Sequence, residues 1–247
     1  MLEGKNPEAR GNSSTISPWL AGLRVPFFLL SFSFCLIAQP PAAQKHPRTS
    51  SHPRAFIETT AGTLVCTLYP EKAPVGVANF IGLANGSKDW TDSRTRQLVH
   101  GRPLYDGTLC HRVQPGFMIQ CGDPLGTSQG GPGYHFDNEI NPDLKFDQPG
   151  MLAYANSGLD ENGHGTNGSQ FFITEQAMSS DEQAMLNGNY TIFGQCSPPS
   201  VDLVKRIARQ PVIEGTQRPV NPVMIRHIRI EGVVAARSAK AKPAKKK

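Results

Sequence analysis

At 247 residues and 38% hydrophobic content, the chain has apolar material for one ordinary domain with tails and is too short for a second full domain. The formal charge of +5 gives no support for nucleic-acid binding by the domain, because Arg237, Lys240, Lys242, Lys245, Lys246 and Lys247 supply six positive charges and leave the remainder near neutral. With 24 Gly and 21 Pro, turn signals recur roughly every ten residues, which excludes a helical bundle and predicts mainly β structure built of short strands.

Arg24 precedes a charge-free apolar run of 14 residues, from Val25 to Ala38, followed by Gln39-Pro-Pro-Ala-Ala43. That run is short for a membrane span and has the pattern of a signal-peptide core. Residues 1–43 are therefore read as a signal peptide cut after Ala38 or Ala43, which leaves an exported, periplasmic protein with no stable span. An uncleaved anchor and a lipid attached through Cys35 are the alternatives, and the bulky Phe34 opposes the second. Residues 44–54, polar and containing Pro47 and Pro53, read as a linker, and 233–247 as a disordered basic tail. Export would place Cys66, Cys110, Cys121 and Cys196 in an oxidising compartment. None has metal-ligand spacing, and each is expected to be a small buried residue in a strand. Cys110 and Cys121 flank a tight hairpin within reach of each other, but cross-strand bonds are often strained, so free thiols are expected.

The domain is placed at 55–232. Phe56-Ile-Glu-Thr and the run from Thr63 to Tyr69, around Ala61-Gly62, predict a β hairpin with Leu64, Cys66 and Leu68 on one face. Pro74, then Val77, Phe80, Ile81 and Ala84, then Gly86, describe a first helix with its start and stop. Strands are predicted at 108–113, 118–121, 151–155, 170–174 and 190–196, and alternation puts Cys110 and Arg112 on one face. Ser200 is placed as the cap of a second helix with Val201, Val204, Ile207 and Ala208 on one side, ending before Pro211. A last strand alternates Ile228 and Ile230 with His227 and Arg229. Strands without a βαβ rhythm predict an antiparallel barrel capped by two helices.

The most unusual stretch is Tyr105-Asp-Gly-Thr-Leu-Cys-His-Arg-Val-Gln-Pro-Gly-Phe-Met-Ile-Gln-Cys-Gly-Asp-Pro124 followed by Gly130-Gly-Pro-Gly-Tyr134. It resembles the signature of the cyclophilins, and the resemblance continues through Ala155-Asn156, Gly168-Ser-Gln-Phe-Phe-Ile-Thr174 and Thr191-Ile-Phe-Gly194. It implies a closed eight-stranded barrel, a peptidyl-prolyl cis-trans isomerase that assists folding, and proline-containing unfolded or flexible polypeptides as partners. Neither metal nor cofactor is implied, and a monomer is expected. Rotating a prolyl amide meets a barrier of about 18–20 kcal/mol, because conjugation must break, and requires no nucleophile. A fixed guanidinium can donate to the lone pair that the nitrogen regains only when twisted.

By this resemblance Arg112 is the catalytic group. Phe117, Met118, Phe172 and Leu186 line the proline pocket, Gln120 positions the substrate near Arg112, and Ala155, Asn156 and Gln170 complete the groove, Asn156 on the substrate backbone. Tyr190 stands where many eukaryotic members carry histidine, and Met185 where they carry tryptophan; for want of the indole donor at 185, weak binding of the cyclic peptide cyclosporin is expected. Three further departures are Cys110 for an aromatic, Cys121 for a glycine and Tyr154 for a methionine. Two segments exceed the family minimum: 87–104, with Trp90, Arg94, Arg96 and Arg102, read as a solvated loop, and 159–165, at the groove's edge. His111 is read as structural, the 126–133 segment as a glycine turn, and His135 and His164 as surface residues. A non-catalytic proline-peptide binder using the same groove is the rival reading.

Overall fold

The computed structural model describes residues 52–232; the predicted signal peptide, nearly all of the linker and the basic tail lie outside the described residues. The chain opens on the expected hairpin, β1 (Arg54–Thr59) and β2 (Gly62–Leu68), with Leu64, Cys66 and Leu68 buried. Thr59 Oγ ties the turn, donating to the Gly62 carbonyl at 2.6 Å and accepting from Ala61 N–H at 3.1 Å. Helix α1 (Pro74–Asn85) follows, with Pro at its start, where no N–H is needed, and Gly86 in the left-handed conformation at φ 76 closing it. Its first N–H groups have no side-chain cap of their own. Glu139 accepts from Val75 and Gly76 N–H at 2.9 and 2.7 Å instead.

A two-stranded unit, β3 (Trp90–Thr91) with β4 (Leu98–Val99), precedes β5 (Leu109–Gln114), β6 (Met118–Asp123), β7 (Met151–Tyr154) and β8 (Phe171–Thr174). Helix α2 (Ser180–Leu186), β9 (Ile192–Cys196), helix α3 (Pro198–Ala208) and β10 (Ile225–Glu231) complete the described chain. Eight strands form one antiparallel sheet in the order β10-β1-β2-β9-β7-β8-β6-β5. The sheet is a curled half-barrel, whereas a fully closed ladder was expected. Between β5 and β10 the ladder is interrupted, and the seam is spanned by a single bridge, Leu109 to Met224, and by bonds such as Ile225 N–H to Thr108 O at 2.8 Å. Three helices are present where two were expected. Seven residues are too few to display a helical period, although Ser179 and Glu182 form a capping box that marks the start of α2. Helix α3 begins at Pro198, earlier than expected. Ser200 is thus inside it, buried, and accepts from Val65 N–H at 2.8 Å.

Side chains divide between the two faces of the sheet. Ile119, Leu152, Tyr154, Phe171 and Ile173 enter the main core with Val77 and Phe80 of α1 and Leu203, Val204 and Ile207 of α3. Their strand neighbours Met118, Ala153 and Phe172 point to the other face and join Phe146, Met151, Met178, Leu186 and Ile192 in a second, smaller core.

The cysteines depart from expectation: Cys66 is bonded to Cys196, and Cys110 to Cys121. Both pairs stand directly opposite each other on neighbouring antiparallel strands, β2 with β9 and β5 with β6, so each sulfur meets its partner without a detour of the backbone. The first closes 130 residues of sequence and the second 11. Chain-entropy arguments assign such loops about 5 and about 3 kcal/mol of stability respectively. The Cys66→Ser/Cys196→Ser protein should therefore melt below the Cys110→Ser/Cys121→Ser protein. Peptide mapping of alkylated, non-reduced protein should recover both pairs linked, and alkylated free thiols at these positions would contradict the pairing.

Candidate active site

Register on one hairpin sets the site. Along β5 and β6, Gln114 faces Met118, Val113 faces Ile119 and Arg112 faces Gln120, but Cys110 faces Cys121, so His111 has no partner across the ladder. Gly122 is passed over on the other strand, since Leu109 faces Asp123. Its φ of 86, and the Ser169 carbonyl that would stand 2.6 Å from any Cβ there, suit only glycine. Simple alternation placed Cys110 with Arg112; the bulge instead turns Cys110 into the core and leaves Arg112 on the outer face beside Gln120.

On that outer face lies a groove of about 580 Å³. Phe117, Met118, Phe172, Leu186 and Tyr190 give it apolar walls, and Arg112, Gln120, Ala155 and Asn156 line it too. Phe172 sits among three rings, stacked on buried Phe146 at 5.7 Å, edge-on to Tyr190 at 5.6 Å and tilted to Phe117 at 6.3 Å. Met185 also lines the groove, but at 65% exposure it belongs to the rim. Gln170 lines an adjoining cavity of about 350 Å³ that shares Gln120, Ser128, Ala155, Asn156 and Ser157 with the groove. All the residues selected from sequence are thus brought to one continuous surface.

Three glutamines hold the cation. Arg112 Nη1 donates to Gln120 Oε1 at 3.1 Å, Nη2 to Gln114 Oε1 at 3.4 Å, and Nε to Gln217 Oε1 in a short bond. The chain of amides continues from Gln120 Nε2 to Gln170 Oε1 and from Gln170 Nε2 to the Gly130 carbonyl, both at 2.8 Å. Among the described residues no carboxylate contacts the guanidinium, and none neutralises its charge in an ion pair. Partial burial lowers its pKa from the usual arginine value. Arginine remains charged under such a shift.

Asn156 spends its side chain on the protein itself. Its Nδ2 donates to the Asn189 carbonyl at 3.0 Å and to Asn138 Oδ1 at 3.1 Å, and its Oδ1 accepts from Gly158 N–H. Its main-chain N–H and carbonyl make no bond among the described residues, so they are free to pair with a ligand. His111 is buried, and burial lowers its pKa against the opposing pull of Asp123, so the ring is neutral near pH 7. Its Nε2 meets no hydrogen-bond partner among the described residues.

Two contributions escaped the sequence reading. Gln217 and Ser128 come from loops with no motif of their own. Gln217 is carried to Arg112 by its own carbonyl, which accepts from Val113 N–H at 2.8 Å. The 87–104 insertion is solvated at 94–98 and 100–102, as expected of a loop, but docked at its start. Trp90 is buried and donates to the Arg102 carbonyl at 2.9 Å, while Thr91 N–H and Ser93 Oγ bond the carbonyls of Pro132 and Gly131. It thereby buttresses the loop whose Gly130 carbonyl anchors Gln170. The 159–165 insertion forms a tight turn, bridged at Leu159 and Gly165 and tied by Asp160 Oδ1 to Asn162 and His164 N–H, and lines neither cavity.

Residues 55–230 match the family described as cyclophilin type peptidyl-prolyl cis-trans isomerase. The peptidyl-prolyl cis-trans isomerase A of Mycobacterium tuberculosis is 43% identical over 176 residues, 71% of this chain and 91% of that one. The peptidyl-prolyl cis-trans isomerase B of Streptomyces anulatus is 44% identical over 178 residues, 72% of this chain and 95% of that one. Among solved structures, a cyclophilin type peptidyl-prolyl cis-trans isomerase of Cryptosporidium parvum in the presence of the dipeptide Ala-Pro superposes with a TM-score of 0.55 at 30% identity, covering 71% of this chain and 96% of that one. Two bacterial relatives at this identity, matched along nearly their whole length, together with the half-barrel, carry one conclusion: the chain belongs to the cyclophilin-type peptidyl-prolyl cis-trans isomerases, and rotation about the bond before proline is its activity.

Proposed function

We propose that this isomerase is an exported, monomeric enzyme that acts on Xaa-Pro bonds of unfolded or flexible polypeptides and so assists their folding, with Arg112 as its catalytic group. The observation that carries the reading is the cation itself, fixed by Gln120, Gln114 and Gln217 at the border of an apolar pocket. The Ala-Pro dipeptide in the crystal structure of the relative supports a proline peptide as the occupant. The apolar run from Val25 to Ala38 and the two bonded cysteine pairs support export to an oxidising compartment such as the periplasm.

The chemistry follows from geometry. Phe117, Met118, Phe172, Leu186 and Tyr190 hold the proline ring by burial. The unpaired main chain of Asn156 holds the backbone on the other side of the rotating amide, and Gln170 and Gln120 keep the polar wall in place. With both sides anchored, only the amide between them turns. The planar nitrogen has no lone pair to offer; the pyramidal nitrogen of the twisted state does, and a guanidinium N–H aimed at it lowers the barrier without stabilising the ground state. Each 1.36 kcal/mol, approximately, is tenfold in rate.

Arg112→Ala should lower kcat/KM at least about tenfold in a protease-coupled assay on a short proline peptide, with an unchanged circular dichroism spectrum. Full activity in that variant would remove Arg112 from the mechanism, and inactivity of the natural protein would favour the non-catalytic binder. Gln217→Ala should cost about three- to tenfold in kcat with KM little changed, because a lost bond to a charged group of about 1 kcal/mol releases the orientation of Arg112 but not the proline pocket. Met185 sits at the rim, where a hydrogen bond adds only about 0.5–1.5 kcal/mol, so Met185→Trp should tighten inhibition by cyclosporin about two- to tenfold. Equal inhibition of both proteins would refute that role for position 185.

A further inference from the structure

A third cavity, of about 590 Å³, opens on the far side of Arg112. His111, the loop Gly126, Thr127 and Ser128 and the loop Gly215 to Arg218 line it, and it shares Arg112 and Ser128 with the proline groove. Because the two cavities share Arg112 and Ser128, this one adjoins the place where a proline beside Arg112 would sit.

Charge distinguishes it from the other two. The linings of the groove and of the Gln170 cavity carry no Lys, Arg, Asp or Glu besides Arg112, and one imidazole, His135. The third cavity adds Arg218, and no carboxylate lines it. Arg112 has its Nε and both Nη atoms committed to glutamines, whereas Arg218 is exposed and its guanidinium meets no acceptor among the described residues. The main chain around it is nevertheless fixed. Arg218 N–H donates to Thr216 Oγ1 at 3.2 Å, its carbonyl accepts from Ile213 N–H at 2.9 Å, and Val220 N–H reaches the Pro211 carbonyl at 2.9 Å. A bridge between Val212 and Pro219 closes the same turn. The cation is thus held at the cavity mouth by backbone that is ordered before any ligand arrives.

We propose that this cavity is a subsite for an acidic side chain of the substrate, close in sequence to the proline, with Arg218 as the specificity-determining residue. The proposal rests on the isomerase reading and adds a substrate class to it: polypeptides with Asp or Glu near the proline. An exposed ion pair of this kind gives about a two- to fivefold preference and weakens with salt.

The test is a panel of proline peptides carrying Glu, Gln or Lys at each position from two before to three after the proline, assayed with the full chain at low and high salt. The ratio of kcat/KM for Glu over Gln should reach about two to five at positions on one side of the proline and fall towards one at about 1 M salt. Arg218→Gln should bring the ratio to one, and Arg218→Glu should invert the preference in favour of Lys peptides. A ratio of one at every position in the natural protein, or a preference that persists in Arg218→Gln, would overturn the proposal. Turnover of the Gln peptides by the natural protein tests the isomerase reading separately. Binding of the same peptides by fluorescence anisotropy reads the subsite without turnover.

Discussion

One unpaired residue on β5 decides which way the cation of this protein points. In an unbroken antiparallel ladder, residues two apart share a face, and Cys110 and Arg112 would stand together. His111 is passed over, so the strand turns once more between them. Cys110 then lies in the main core against Cys121, and Arg112 lies outside against Gln120. The buried neutral imidazole and the glycine passed over on β6 accompany this one irregularity. The Cys110–Cys121 bond closes across the pair next to it.

The groove is stiff because its walls are also a core. Met118, Phe172 and Leu186 are buried among Phe146, Met151, Met178 and Ile192 on the face of the sheet opposite the barrel interior. Each such side chain contributes about 1.5–3 kcal/mol when buried, so core packing alone holds the pocket in shape. The same strands alternate into the two cores, and a change in one layer is felt in the other through the shared backbone. Around this floor, amides take the place of charges. Gln114, Gln120, Gln170 and Gln217 hold Arg112 and one another, which fixes the guanidinium without neutralising it.

The departures from the family pattern at 110 and 121 are one feature. An aromatic at the first position and a glycine at the second would fill the same space with one ring and no side chain; here two cysteines meet across it. Tyr154, at the third departure, is buried against Phe193 and Phe136, donates its hydroxyl to the Gly76 carbonyl at 2.8 Å and accepts from Asn79 Nδ2 at 3.1 Å. Burial raises its pKa well above the usual phenol value, so it stays a neutral donor. It ties β7 to helix α1 where a methionine could only pack.

Local patterns determined much of this protein from the sequence alone. Period-two burial in Leu64, Cys66 and Leu68, the Pro74 start and Gly86 stop of α1, and the apolar face of α3 rest on neighbours a few residues away, where chain geometry is regular. The site residues around Arg112 were legible because a long motif carries them in order. Tertiary structure decided the rest. The bulge at His111 depends on β6 as well as β5, and Gln217 reaches Arg112 from 105 residues away. Both disulfides, the docking of Trp90 and Ser93 beneath the Gly130 loop, and Arg218 at the mouth of a cavity likewise join segments distant along the chain. Periodicity reports the face of one element. Which residues meet across two elements is set by register and curl, and those exist only once the sheet has formed.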